Sequence, residues 1–522
     1  MKEILEQNIL AINQLKLNLN AVELGEFLQT RQVSLILSDE TAAHMAALRT
    51  AIDLLARLSF QVNVGARTSS LDRQTSMLVE SARRFGFDNI SQKRPPNSDL
   101  IVAIGSEPTS ESSLQAYASG WNVGITSSPR KIDCAKGSNA LCGAMLGVLV
   151  ASEAFNRMVG PLLGKSDFPS EMLVSLLDYS STASEEPAEL EPLFIPHGTL
   201  IGCGAVGGAF VYALSLLPAL SGKLEIVDPD WFTRTNLHRY ILANPVDLVN
   251  RVYKTHRARE RLRHHAKLNV FEHRKNFSEF LDEDCDERKI AFLISAVDSH
   301  GKRRDLGRET PYEALNASTG SFTLALSTHY QGYRNSNPCV GCHYPASDGE
   351  QERFVVIARE IGLQIDDVRT LSITNAPMTS DLLAAIAAFR KQSPDSYCEF
   401  MGQPFDSFYQ HGICGAVEVE TPSGHAEIPL AHISAAAGIL LAIEVVKRFS
   451  SKLERYGLDN FLQLDLLNLT SCWFSDKKAS RVGCDCQKEV YRRRFREKYE
   501  AWLTSPLTSP ASRTVTLQNR LP

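Results

Sequence analysis

The chain has 522 residues, 43% of them hydrophobic and 22% charged, with a formal net charge of −5. That length suits two or three packed domains of an ordinary globular kind, and the slight acidity speaks against a nucleic-acid binder. The N-terminal MKEILEQNILAINQ carries acids and no long apolar core, so it does not read as a signal peptide. The apolar runs Ala140–Val150 and Ala435–Val446 are too short to span a bilayer and read as buried helices, so no membrane association is expected. Eleven cysteines at uneven spacing point to reduced thiols, metal ligands or a catalytic thiol, not to a disulfide framework. A cytoplasmic protein is expected.

In chain order, β-type runs at Val33–Leu37, Phe60–Val64 and Leu100–Ile104 alternate with helical patterns, as in a parallel α/β sheet. The acidic, proline-containing SSTASEEPAELEP at 180–192 reads as a linker. The expected organisation is therefore a first α/β domain over 1–180, a linker over 181–193, a second domain over 194–490, and a basic helix with a disordered tail over 491–522.

The second domain opens with Thr199-Leu-Ile-Gly202-Cys-Gly204-Ala-Val-Gly207, a strand, a glycine turn and a helix. Gly202 permits the turn, Gly204 lets backbone approach a phosphate, and Gly207 lets the helix pack close to the strand. The helix N-terminus offers free N–H groups to an anion. A second strand, Leu224–Val227, ends at Asp228, where an acid can bond a ribose hydroxyl. A dinucleotide-dependent dehydrogenase would begin in the same way. The segment Asp228-Pro-Asp230-Trp-Phe-Thr-Arg-Thr-Asn236-Leu-His-Arg239-Tyr, followed by Lys254, speaks against it. A nicotinamide site has no use for that amide and those cations, whereas a triphosphate needs them. A third strand, Phe292–Ala296, leads to Asp298 at the carboxyl end of the sheet, a suitable Mg2+ carboxylate.

Asn335-Ser-Asn-Pro-Cys339-Val-Gly-Cys342 is a knuckle whose spacing lets two thiolates share an ion, and Cys484-Asp-Cys486 supplies a second pair. Two such pairs suit tetrahedral Zn2+, with His343 as a possible substitute ligand and a redox pair as the alternative reading. Between the knuckle and a late apolar helix lies a long stretch at about 347–410, with helical patterns at Gln351–Ile361 and Ser380–Lys391 and a cysteine at Cys398. The late helix, Gly438–Arg448 (GILLAIEVVKR), matches Gly147–Arg157 (GVLVASEAFNR) at Gly, Leu, Ala, Glu and Arg. The strands that follow match as well, SLLD at 175–178 against DLLN at 465–468, which indicates an internal repeat of a domain-sized unit. The final KEVYRRRFREKYEAW reads as a helix with a solvated charged face.

Gly-x-Gly-x-x-Gly, Asp-x-Asp, Asn-Leu-x-Arg, Lys and a post-strand Asp occur in this order over about 200–490. The chain thereby resembles the ThiF/MoeB/ubiquitin-activating enzyme family, in its bacterial ubiquitin-like conjugation type with an extra N-terminal domain. The resemblance implies two Rossmann-like parallel-sheet domains: an N-terminal degenerate copy and a C-terminal active adenylation domain with a zinc knuckle, paired as an internal pseudodimer. Further homo-oligomerisation stays open. It implies that Gly202, Gly204, Gly207, Asp228 and Asp230 bind ATP, with Asp228 on the ribose. Asn236, Arg239 and Lys254 would contact the phosphates, and Asp298 would hold Mg2+; Arg303 also fits the pattern. Cys339, Cys342, Cys484 and Cys486 would bind Zn2+, although the second pair has one spacer residue where the family has two. Cys414, before the late helix, would accept the acyl group as a thioester, with Cys398 as its rival in the stretch at about 347–410, which the resemblance implies is an insertion. The implied partners are a ubiquitin-like protein ending in glycine and a conjugating enzyme. The alternative is adenylation of a peptide or small carboxylate without thioester transfer. In the first domain no glycine turn follows Val33–Leu37, Gly65 falls near the place of Asp228, and Gly105 falls in that of Asp298. That domain is expected to bind no nucleotide and to offer an arginine across the junction, with Arg31, Arg67 and Arg73 as candidates.

Overall fold

The structure is a computed structural model. It describes residues 2–13, 20–92, 98–134, 139–186, 189–282, 289–320, 323–329, 337–344, 349–374, 376–409, 429–467 and 473–503. The first half runs α1 (Lys2–Asn13), α2 (Ala21–Thr30), β1 (Gln32–Leu37), α3 (Ala42–Arg57), β2 (Gln61–Ala66), α4 (Asp72–Arg84), β3 (Ile90–Ser91), β4 (Leu100–Ile104), β5 (Leu114–Ser119), β6 (Asn122–Thr126), α5 (Ala140–Val159) and β7 (Glu171–Ser175). The second half begins with β8 (Leu193–Ile201), α6 (Ala205–Leu214), β9 (Leu220–Val227), α7 (Pro245–Val249), α8 (Lys254–Leu262) and β10 (Lys267–His273). It continues through α9 (Phe277–Leu281), β11 (Phe292–Ser295), α10 (His300–Arg308), β12 (Glu313–Thr319) and β13 (Thr323–His329). Helices α11 (Gly349–Ile361), α12 (Ile365–Thr374), α13 (Ser380–Phe389) and α14 (Phe405–Phe408) follow. The chain then closes with α15 (Ala431–Phe449), β14 (Phe461–Asp465), β15 (Trp473–Asp476) and α16 (Glu489–Leu503).

The two halves share one topology. The first sheet has the order β3-β2-β1-β4-β5-β6-β7, and the second has β10-β9-β8-β11-β12-β13-β14, extended by β15. In each, the early strands pair in parallel, and pairing turns antiparallel at the β5–β6 and β12–β13 steps. The first half is thus a second copy of the same Rossmann-like α/β unit. The central strands β1, β4, β8 and β11 are buried along most of their length, which is why they read as near-continuous apolar runs.

Helices α3, α5, α6 and α15 belong to a single hydrophobic core that includes both sheets. The repeated glycines set its spacing. A Cβ on Gly147 would stand 2.5 Å from the Ala47 carbonyl oxygen on α3, and one on Gly438 would stand 2.3 Å from that of Val206 on α6. Helix α5 outruns the apolar stretch seen in the sequence. By length and composition the Ala140–Leu163 segment could cross a membrane, but 94% of its apolar window is buried inside the protein, as befits a core helix. Bonds across the junction include Thr50 with Tyr212 (2.8 Å) and Asn156 Nδ2 donating to the Leu466 carbonyl (2.9 Å).

Strand register corrects the alignment of the two copies. Leu37 pairs with Ala66 and Ile104, whereas Ile201 pairs with Val227 and Ser295. Arg67, not Gly65, therefore stands in the place of Asp228, and Glu107, not Gly105, in that of Asp298. The two oppose each other at 3.7 Å, and Lys131 adds a second cation to Glu107 at 3.2 Å. The place of the glycine turn is taken by Ser38-Asp39-Glu40. Asp39 accepts bonds from the Ser106 N–H (2.8 Å) and hydroxyl (2.9 Å) and pairs with His44 Nδ1. Burial works against the Asp39 carboxylate, but His44 and Ser106 outweigh it and hold its pKa below the ordinary range. His44 Nε2 accepts the Ala118 N–H at 3.1 Å, so Nδ1 carries the proton that faces Asp39. The turn before α3 thus carries a carboxylate of the chain itself, while Thr41 caps the helix by accepting the His44 N–H at 3.2 Å.

The insertion has a small core of its own, formed by Ile357, Ile361, Val368, Leu383, Ile386, Phe405 and Phe408. Two of its helices match the expected patterns, and α12 lies between them. Cys414 and the tail beyond residue 503 lie outside the described residues.

Replacing Gly438 with Ala tests the close crossing. Alanine gains about 0.5–1 kcal/mol of helix propensity, yet overpacking costs about 1–3 kcal/mol. Urea denaturation is expected to show a less stable protein; unchanged or higher stability would contradict the crossing.

Candidate nucleotide site and cysteine cluster

Strand β8 delivers the chain to Gly202, whose φ is +88°, and a Cβ there would meet the Ala296 carbonyl oxygen at 2.8 Å. A Cβ on Gly207 would stand 2.1 Å from the Gly202 oxygen. Gly204 occupies the N-cap of α6 and caps it with no side chain. The first N–H groups of this helix, together with its dipole, are thus arranged for an anion.

Asp228, directly after β9, braces the turn: its carboxylate accepts the Cys203 N–H at 2.6 Å and the Asp230 N–H at 2.9 Å. Burial, with Asp230 adding, pushes its pKa up to about 6 against the pull of Lys254. Lys254 starts α8, donates from Nζ to Asp230 Oδ2 at 2.8 Å and is almost wholly buried. Burial opposes its charge, but Asp230, Tyr240 and Asp228 prevail and raise its pKa well above the ordinary lysine value. Asp230 Oδ1 is buried and has no protein partner.

Between β9 and α7 the chain forms a compact loop. Asn236 Oδ1 accepts the Thr233 N–H at 3.0 Å, while its buried Nδ2 has no protein partner. Arg239 lies beside His238 (3.2 Å) and is held near the Tyr240 ring, with its centroid at 5.8 Å. Burial lowers the Arg239 pKa, and Tyr240 and Asp298 act in the opposite sense. Asp298 lies beyond β11 with half its side chain exposed, 3.3 Å from Lys302 Nζ. Arg303 donates to the Val297 carbonyl, and its buried Nε has no protein partner. The fold therefore brings Asp228, Asp230, Asn236, Arg239, Lys254, Asp298 and Arg303 to the carboxyl ends of β8, β9 and β11.

Tyr240 was not singled out by sequence reasoning. Its ring lies 5.4 Å from Lys254 Nζ, and its hydroxyl lies 3.2 Å from where a Gly204 Cβ would be. The available signal was its place directly after Arg239. Among the expected arginines, Arg31 pairs with Asp99 (3.1 Å), Arg67 pairs with Glu107, and Arg73 is exposed. A first-half arginine that does bond to the second half is Arg57.

The four knuckle cysteines converge, with every pair of sulfurs within 4.8 Å and all four residues buried. Cys339 and Cys484 are 3.7 Å apart, Cys342 and Cys486 3.5 Å, and Cys339 and Cys342 3.9 Å. Metal–sulfur bonds of about 2.3 Å in a tetrahedron place the sulfurs roughly 3.8 Å apart, so the set fits one ion of zinc's size. The single spacer in Cys484-Asp-Cys486 does not prevent this, and His343 stacks on Phe461 instead of joining the cluster. Backbone and amide N–H groups of Arg481 and Gln487 reach the sulfurs at 3.4 Å.

The C-terminal helix departs from the expected solvated face. Phe495 and Tyr499 of α16 are buried against Tyr312 and the cysteines. The Tyr499 hydroxyl accepts the Ile290 N–H (3.1 Å) and donates to its carbonyl (3.0 Å). The arginines line the other side, where Arg494 meets Glu309 at 2.8 Å. Cys398 lies exposed on the short Pro394–Phe400 helix of the insertion.

The sequence profile of the ThiF family matches residues 186–487. The uncharacterized protein y4jF of Sinorhizobium fredii (strain NBRC 101917 / NGR234) is 26% identical over 501 residues, covering 91% of this chain and 93% of that protein. Solved structures of E. coli MccB are also similar. The one with MccA is 14% identical, with 56% of this chain and 67% of that chain covered and a TM-score of 0.33. The one with ATP is 10% identical, with 72% and 98% covered and a TM-score of 0.34.

Metal analysis of protein purified without chelator is expected to find about one tightly held ion per chain. Cys484→Ser should lose it and melt at a lower temperature. A folded wild-type protein free of metal would contradict the site.

Proposed function

We propose, from the premise that this chain belongs to the ThiF family and adenylates a substrate carboxylate with ATP, that the substrate is the C-terminal glycine of a ubiquitin-like protein. The observation that carries the nucleotide assignment is the pair of orphaned buried atoms, Asn236 Nδ2 and Asp230 Oδ1. A buried donor and acceptor left without partners are costly unless a ligand meets them. A phosphate oxygen suits the first and a ribose hydroxyl the second, with Asp228 behind it. Lys254 and Arg239 supply positive charge beside the uncapped N-terminus of α6.

The carboxylate of the substrate attacks the α-phosphorus of ATP. A carbon–oxygen–phosphorus anhydride forms, the bond to the β-phosphate breaks, and pyrophosphate leaves. The protein's contribution is positioning and charge neutralisation. Asp298, half exposed beyond β11, is the carboxylate that would hold Mg2+, whose charge offsets that of the leaving group. Zinc held by Cys339, Cys342, Cys484 and Cys486 would be structural, tying α16 to the domain.

Transfer follows when an enzyme thiolate attacks the acyl carbon and releases AMP, leaving a thioester for a conjugating enzyme. Cys414 is the proposed acceptor. Cys398 is the other candidate, exposed on an insertion with its own core. The chemistry has no need of an oxidising or extracellular setting, in keeping with a cytoplasmic site of action.

The test is ATP–pyrophosphate exchange with a ubiquitin-like protein that ends in glycine. Asp298→Ala should abolish exchange, whereas Cys414→Ala should preserve it and lose the thiol-sensitive acyl band on a non-reducing gel. Loss of the band only in Cys398→Ala moves the thiol into the insertion. Exchange without any acyl band favours adenylation alone, on a peptide or small carboxylate. Full exchange by Asp298→Ala would reject that residue as the metal ligand.

A further inference from the structure

We propose that Arg57, in the half of the chain that has lost its own nucleotide site, positions the loop bearing Asn236 and Arg239 in the other half; this rests on the assignment of those residues to the phosphates. Arg57 is the last residue of α3 and is 1% exposed. Its guanidinium reaches out of its own half. Nη1 donates to the Leu237 carbonyl, and Nη2 donates to that of Ala243 at 2.9 Å. His238, Arg239 and Tyr240 lie between those two carbonyls. One rigid fork therefore pins both ends of the stretch that carries the phosphate-facing cation.

The fork is itself fixed on several sides. Asp53 accepts from Nε at 3.0 Å and from Nη2 at 3.3 Å, and the ring of Phe87 lies 5.0 Å from the guanidinium carbon. The Arg57 carbonyl accepts from Asn8 Nδ2 of α1 at 2.6 Å, so the helix end that bears the fork is anchored too. A further first-half contact bounds the same loop: Gly86, at φ +87°, leaves room for Pro245, whose Cγ would stand 2.9 Å from a Cβ there. Only a planar guanidinium meets two diverging carbonyls and a carboxylate at once; a lysine ammonium is a single point charge. Arg57 touches no proposed ligand atom. It is a positioning residue, and its effect should appear where the loop meets the phosphates.

This differs in kind from the arginines expected to reach across the junction. Arg57 contacts main-chain oxygens rather than presenting its charge to a nucleotide. It gives the inactive half a reason to be retained in the same chain: the active half's loop is incomplete without it.

The experiment compares the affinities of the full-length chain for ATP and AMP, both with Mg2+, by titration calorimetry. ATP should bind wild type more tightly than AMP, because Asn236, Arg239 and Lys254 are assigned to the phosphates and ATP brings two more of them. Arg57→Ala should weaken ATP by about tenfold to a hundredfold, the range for loss of a supporting contact behind a binding residue, while AMP changes by less than about twofold on the same reasoning. Arg57→Lys should recover part of the loss. In an Arg239→Ala background the Arg57→Ala effect should shrink markedly, since the two act through one loop. Circular dichroism and thermal melts identify folded variants, and Arg57→Lys serves if Arg57→Ala does not fold. Equal losses for ATP and AMP, or full additivity with Arg239→Ala, would overturn the positioning role and leave a structural contact. Unchanged ATP affinity in a folded Arg57 variant would overturn it as well. A wild type that binds ATP no more tightly than AMP would instead remove the phosphate assignment on which the inference rests.

Discussion

The molecule depends on how closely two long helices approach their neighbours. At Gly438 on α15 and Gly147 on α5, a backbone carbonyl of the facing helix occupies the space where a Cβ would stand. Side chains at those points would hold the helices apart, and interiors packed to near-crystalline density absorb little such strain. With the glycines in place, α3, α5, α6 and α15 close into one core shared by both sheets. The halves are therefore two parts of one body. That continuity brings the end of α3 under the loop after β9, so that a residue near position 57 can govern residues near 240.

The two copies have diverged most at their sheet ends. In the second half the strands lead to a glycine turn, a braced carboxylate and an orphaned amide. In the first, Arg67 reverses the charge at the position of Asp228, Glu107 is neutralised from two sides, and Asp39 puts a carboxylate in the turn. Arg67 removes an acceptor for a ribose hydroxyl, the paired Glu107 is withheld from a metal ion, and the Asp39 carboxylate repels a phosphate; together the changes leave a sheet that folds and supports. The repeated Glu and Arg of the matched helices have diverged as well. Glu153 stays with Arg157 at 2.7 Å, whereas Arg448 turns to Glu313 at 2.7 Å and Glu444 to Lys447 at 2.7 Å.

Much of this was legible in the sequence because the constraints are local. Strands buried on both faces read as apolar runs, the glycine turn needs its residues at fixed spacing, and thiolates sharing an ion must come in close pairs. The helix repeat was legible because close packing tolerates only glycine at one position. The register of the degenerate copy was misjudged by two residues, since no glycine turn remained to anchor the alignment. Phe495 and Tyr499 stand four residues apart on one helical face. That apolar pair was obscured by the surrounding arginines, and what it packs against is set by the fold. Arg57 was out of reach of any local argument: its partners lie 180 and 186 positions away.

The account's central claim is that this chain, with two copies of the fold, holds a single nucleotide site, in the second half. Equilibrium dialysis of the full-length protein against radiolabelled ATP and Mg2+ tests it most directly. One ATP bound per chain, lost when Lys254 is replaced by Ala, is the expected result. Two per chain, or one that persists in Lys254→Ala and is lost when Arg67 is replaced by Ala, would contradict it.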